Sequence, residues 1–275
     1  MTLTRILIWL ALPAILGGAD ITLAQSGPCR SPIPYGSNAA AGHYATVNGV
    51  RLYYEIYGQG PALLVMHGND GSIVTMGCQI AYFSGSHRVI AVDGRGRGNS
   101  EDGKTRFTFE LQADDFAALL EHEHIDKADL LGHSDGGIIA LVMGIRHADK
   151  VNRIVAGSPN LRPDALVDSL LANMNQGLAF VNSKLAAGDK SQNWSRLQRQ
   201  IQQDLDEPHI SLLQLRTIQA PVLLIGADQD LIKAEHFREM ARNLAQGRLV
   251  IVPMTIHQNL PTTSLFNSEA ASFLK

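Results

Sequence analysis

The sequence predicts an α/β fold: a mostly parallel sheet covered by helices on both faces, with a helical insertion late in the chain. Three observations carry this expectation. Short apolar runs alternate with longer segments of helical period, and about 60 residues between two of those runs show no strand pattern. In addition, one serine sits between glycines where an apolar run gives way to a helical segment.

In chain order, Ser26–Gly42 is rich in Pro, Gly, Ser and Ala and reads as an irregular lead-in. Arg51–Tyr57 alternates as a half-buried strand does. Ala62–Met66 is a buried strand ending at His67-Gly68, and Arg88–Val92 is another ending at Asp93. Helical periodicity follows over Phe109–Glu123. Ala128–Leu131 ends at Gly132, a second helical segment covers Gly136–His147, and Val151–Ala156 ends at Gly157. From 159 to 219 only helical patterns occur, as in Ala165–Met174 and Asn193–Leu205, so a helical cap or lid is expected there. Val222–Ile225 and Leu249–Val252 complete the sheet. The core is therefore expected over 43–158 and 220–275.

Composition excludes several classes. The 275 residues are 45% hydrophobic and 18% charged, with a net charge of -3, 25 Gly without a three-residue period and two Cys. Collagenous, disordered and disulfide-scaffold chains do not look like this. A slightly acidic chain without a basic run gives no footing for nucleic acid. Residues 1–24 read as a cleavable export signal: Arg5, then apolar Ile6–Gly17, then Thr22-Leu23-Ala24, with cleavage expected after Ala24. The apolar stretch is too short for a permanent anchor, which needs about 20 residues. A periplasmic or secreted protein is the expectation. In such a compartment Cys29, near the mature N-terminus, and Cys78, in an early helix, are candidates for a disulfide.

The chemistry centres on Gly132-His133-Ser134-Asp135-Gly136. A serine at a sharp strand-to-helix turn is forced into strained backbone angles, and only glycines two before and two after let the chain close around it. Centring the turn on Asp135 instead would put His133 where a glycine is needed, so Ser134 is the expected nucleophile. It needs a base held by a third group. In the order nucleophile, acid, base, the acid follows the next strand, where Asp228 and Asp230 both stand. The base follows the last strand, where His257 is the one histidine. Asp230, ahead of Leu231-Ile232, is the preferred acid; Asp228 is expected to cap the turn through its own backbone. The expected oxyanion donors are the backbone N–H groups of Asp135 and, from the loop His67-Gly68-Asn69-Asp70-Gly71, of Asn69. His67 is expected to orient that loop.

Other candidates take plainer readings. His122 and His124 point to different faces of a helix, and Glu235 and His236 are expected to be solvated. No metal-ligand cluster is present, and glycines 94, 96 and 98 lack the spacing of a dinucleotide loop, so no cofactor is expected.

With these residues in place, the chain resembles the α/β-hydrolase fold superfamily over 43–275, and within it the bacterial serine esterases, the biphenyl hydrolase-like enzymes and the carbon–carbon bond hydrolases. The likeness rests on Val47-Asn48-Gly49, Leu52-Tyr53-Tyr54, His67-Gly68, the run from Asp93 to Ser100, the elbow at 131–137, Asp230-Leu231-Ile232 and Pro253 to His257. The segment before His257 lacks a glycine common in relatives. The resemblance implies a cofactor-free serine hydrolase acting on a small or medium carboxylic ester. A lactone, a short-peptide amide or a carbon–carbon bond are alternative substrates, and a catalytically silent binding protein is an alternative of another class. Some relatives with Ser-Asp-Gly-Gly act on amino-acid esters, which would give the Asp135 carboxylate an amine to hold.

Overall fold

The computed structural model describes residues 33–69 and 71–275. The expected leader and Cys29 lie outside the described residues. Cys78 is buried and is not a free thiol.

Eight strands form one sheet in the order β1-β2-β4-β3-β5-β6-β7-β8. They are β1 (Gly42–Val47), β2 (Val50–Tyr57), β3 (Ala62–Met66), β4 (Arg88–Val92), β5 (Ala128–His133), β6 (Val151–Gly157), β7 (Val222–Gln229) and β8 (Gly247–Ile256). β1 and β2 pair antiparallel, as do β2 and β4; every later pairing is parallel. Central strands β3, β4 and β5 are buried almost end to end, as unbroken apolar runs with helices on both faces must be.

Helices α1 (Gly77–Phe83) and α8 (Ser264–Phe273) bury Ile80, Phe83, Phe266 and Ala270 on one face. Helices α2 (Phe109–His122), α3 (Asp135–Arg146) and α7 (Ala234–Asn243) bury Phe116, Ile139 and Phe237 on the other. Between β6 and β7 run α4 (Asp168–Ala186), α5 (Trp194–Asp206) and α6 (Leu212–Leu215), with no named strand among them. One isolated bridge, Leu166 to Ile232, ties the start of this segment to the acid loop. α4 and α5 pack on each other through an apolar stripe that includes Leu197, Ile201 and Leu205 of α5. Among the described residues no helix is long and apolar enough to cross a membrane.

Strand β1 was not anticipated. It joins β2 through Asn48-Gly49, both at positive φ (45° and 77°), the backbone of a tight hairpin turn. The lead-in before it is held by Glu55 of β2. This fully buried carboxylate accepts from the N–H of Gly36 (2.8 Å) and Asn38 (2.9 Å) and from the hydroxyls of Tyr53 (2.7 Å) and Tyr57 (2.8 Å).

The parallel register sets the site. Met66 lies opposite both Val92 and Gly132, Gly132 opposite Ala156, and Gly157 opposite Ile225. The chain thus leaves β3, β4, β5 and β6 at one sheet edge, where crevices of open α/β sheets form.

Candidate active site

Ser134 caps α3 with φ 56° and ψ -120°, a conformation that a residue carrying a Cβ holds only when its surroundings impose it. Its N–H donates to Gly157 O (2.8 Å), and its own carbonyl accepts from Ile138 N–H (3.0 Å). The flanking glycines are there for space. A Cβ on Gly132 would collide with the Gly136 backbone, and one on Gly136 with the Met66 carbonyl. The turn lifts the hydroxyl off the sheet and sets it at a helix N-terminus, where N–H groups lie outside the i→i−4 ladder.

His257 follows β8 directly. Ser134 Oγ lies 3.0 Å from His257 Nε2, and His257 Nδ1 lies 2.7 Å from Asp230 Oδ1. A carboxylate only accepts, so Nδ1 carries the ring proton and Nε2 presents its lone pair to the serine. Asp230 is almost fully buried. Oδ1 also accepts from Ile232 N–H (3.2 Å), and Oδ2 from Ser158 Oγ (2.5 Å) and Ala227 N–H (2.9 Å). Burial favours the neutral acid, but donation by His257, Ser158 and Ala227 outweighs it and holds the carboxyl below its ordinary range.

Asp228 behaves differently. It is exposed, and it accepts from the N–H groups of Met254 and Thr255, both at 2.8 Å. It therefore ties its loop to β8, at the point where Met254 takes a positive φ of 53°, and the backbone N–H groups of Asp228 and Gln229 in its own turn also help hold its carboxyl below the ordinary range.

The loop after β3 presses against Ser134: a Cβ on Gly68 would stand 3.0 Å from Ser134 Cβ and 3.3 Å from His133 O. Asn69 follows it at once. Arg97 donates to both the carbonyl and the side-chain oxygen of Asn69, and the Asn69 amide group donates to Asp204 of α5. Asp135 is the first residue of α3 and is buried. His67 accepts from Gly94 N–H at Nε2 (3.0 Å) and approaches Gly68 O with Nδ1 (2.6 Å). Burial, with Arg97 adding to it, pushes its pKa down to about 4, so it is a neutral staple of the loop, as expected.

Two supporting residues had no anticipated role. His133 lies beneath His257, with ring centroids 4.9 Å apart, and its Nε2–H donates to His257 O (3.0 Å). Burial and the adjacent His257 ring push its pKa down to about 3, so it stays neutral. Ser158, buried at the end of β6 with φ 47°, donates to Asp230. Neither is marked by local pattern; only strand register brings them in.

His236 corrects an expectation. It is 4% exposed: Nε2 accepts from Leu161 N–H (2.9 Å), and Nδ1 stands 3.2 Å from Glu239. Glu235 beside it is exposed, as expected. α2 ends at His122, with His124 in the turn beyond. Among the described residues no group of three or more His, Cys, Asp or Glu is arranged to hold a metal ion.

A family model described as alpha/beta hydrolase fold matches residues 61–197. A putative carbamate hydrolase RutD of Caulobacter sp. (strain K31) is 28% identical over 83% of this chain and 97% of its own length. The serine hydrolase BPHL of Homo sapiens is 27% identical over 93% and 92%. The enol-lactonase of Burkholderia xenovorans LB400 superposes with a TM-score of 0.69 at 23% identity, over 84% of this chain and 99% of that one. Elbow, strand order and relatives agree: the chain belongs to the α/β-hydrolase fold superfamily.

Proposed function

We propose that the protein is an exported serine hydrolase that cleaves a carboxylic ester of small or medium size. The observation that carries this reading is the hydrogen-bonded chain Ser134–His257–Asp230 on a strained elbow. His257 takes the Ser134 proton as Oγ attacks the carbonyl, Asp230 fixes the imidazole tautomer, and the N–H groups of Asn69 and Asp135 receive the oxyanion. His257 returns the proton to the leaving alcohol, then activates the water that releases the acid. The inserted helices α4–α6 act as the lid that shapes the acyl pocket. A lactone, as a cyclic ester, fits the same steps, and the likeness to an enol-lactonase favours it as a second reading.

The test is active-site labelling followed by a panel of acyl esters and lactones. A fluorophosphonate probe should modify the wild type at Ser134 and leave Ser134→Ala unlabelled. Equal labelling of both, or of neither, removes the hydrolase reading and leaves a silent binding protein. Secretion is checked by fractionating cells that express the full chain: mature protein beginning at Gln25 outside the cytoplasm is expected, and an uncleaved cytoplasmic chain refutes it.

A further inference from the structure

The contacts of α5 divide by chemistry. Ile201 belongs to the large hydrophobic core and Leu197 and Leu205 pack against it, whereas a row of polar side chains links α5 to the sheet domain. Arg199 donates to Asp102 (2.6 Å) and to the carbonyls of Gly103 (3.3 Å) and Thr105 (3.1 Å). Gln203 accepts from Gln112 (3.4 Å), Asp206 pairs with Arg106 (3.0 Å), and Glu207 accepts from Phe109 N–H (3.2 Å). Asp204 sits in the middle of this row and reaches the Asn69 side chain.

We infer that Asp204 is a positioning residue for the oxyanion loop, so that the inserted helices complete the catalytic geometry as well as covering it. The inference rests on the function proposed above. Asn69 is held at three points: Arg97 grips its backbone carbonyl and its side-chain oxygen, and Asp204 takes its side-chain N–H. With both the side chain and the following peptide fixed, the residue has little freedom to rotate. Its own N–H therefore keeps one direction next to Gly68 and Ser134. Hydrogen bonds with an ionised partner are among the strong ones, and both clamps have one: the guanidinium on one side and the carboxylate on the other. An oxyanion donor works only if it is already aimed at the place where charge develops. Lifting α5 would thus release the donor, and the site would be fully assembled only with the inserted helices in place.

The experiment is a double-mutant cycle on the full chain, using the best ester of the panel and a boronic acid that forms a tetrahedral adduct on serine. Asn69→Ala keeps the backbone donor and removes the link; Asp204→Ala removes the anchor. Each should lower kcat about 10- to 100-fold with KM within about threefold, the range expected when a donor is misaimed but retained. Boronate affinity should fall with kcat, and the double variant should be no worse than either single. Asp204→Asn, which still offers an oxygen to the Asn69 amide, should recover to within about threefold of wild type. Additive losses, or full kcat in Asp204→Ala, would overturn the inference; so would a drop in melting temperature alone. A wild type that is neither labelled at Ser134 nor active on any ester fails at the earlier reading, and the inference falls with it. An active wild type with an indifferent Asp204→Ala refutes the inference alone.

Discussion

Asp230→Asn tests the choice of acid most sharply, because the structure specifies how the variant fails. Each carboxylate oxygen faces one fixed backbone donor: Oδ1 faces Ile232 N–H at 3.2 Å and Oδ2 faces Ala227 N–H at 2.9 Å. An asparagine must place its NH2 at one of these positions, leaving a donor facing a donor at a cost of about 1–3 kcal/mol. The Oδ1 position is the cheaper one, because that backbone contact is longer and His257 can move its ring proton, whereas at Oδ2 the shorter Ala227 contact remains. With NH2 at Oδ1, His257 carries its proton on Nε2 and offers no lone pair to Ser134. Loss of the correct tautomer in a Ser-His-Asp system costs on the order of 10³- to 10⁴-fold in turnover, or about 4–5 kcal/mol. Asp228→Asn disturbs only the tie to Met254 and Thr255 and should cost less than about tenfold. The assay is kcat/KM on an activated acyl ester at pH 8, with both variants confirmed folded by circular dichroism. Retention of more than a tenth of wild-type activity in Asp230→Asn, or equal losses in the two variants, would refute the assignment.

Two further predictions concern the loop and the protonation state of the core. Gly68→Ala would put a methyl 3.0 Å from Ser134 Cβ, so kcat/KM should fall about 10- to 100-fold as 1–3 kcal/mol of overpacking displaces loop or nucleophile; undiminished turnover would show that the loop does not abut the serine. His67, His133 and His236 are buried with pKa values pushed down to about 4, 3 and 4, chiefly by desolvation. The unfolded chain therefore binds more protons than the native one, and stability present above pH 6.5 should be lost progressively as pH falls toward 4, His67 alone accounting for on the order of 3 kcal/mol. Asp93, raised by burial to about 6, acts with the opposite sign between pH 6 and its ordinary range, as do Asp115, Asp129 and Glu207, which burial also raises, whereas His87, lowered by burial, and Asp230, held down by its donors, act with the three histidines. Calorimetric melting temperatures that stay level or rise between pH 6.5 and 4 would contradict this account.

What sequence could reveal followed the physics of each element. β3 and β4 match their expected bounds residue for residue, because strands buried on both faces are unbroken apolar runs that start and stop sharply. β1 escaped notice because only Ala45 and Val47 of it are buried; its other residues face water or the rim and carry no period. β5, β7 and β8 run past their apolar stretches: pairing with β6 extends Gly132-His133, pairing with β8 extends Gly226-Ala227, and beyond an irregularity that includes Met254 at positive φ the two strands pair again at Gln229 and Ile256. That Ser134, Asp230 and His257 meet was legible because each follows a recognisable strand in a fixed order. The clamp on Asn69 was not: its partners are 28 and 135 residues away. His236 misled because a polar residue on a surface helix reads as solvated, while the Leu161 N–H that donates to it belongs to another segment.

The succession of strands also sets when the chemistry can begin. Ser134 is synthesised midway along the chain, Asp230 follows once the inserted helices are made, and His257 hangs from β8, the last strand and one edge of the sheet. A partly synthesised chain therefore carries a strained serine with no histidine beside it. On the proposed function, docking of the final strand would switch it on, and turnover would report completed folding.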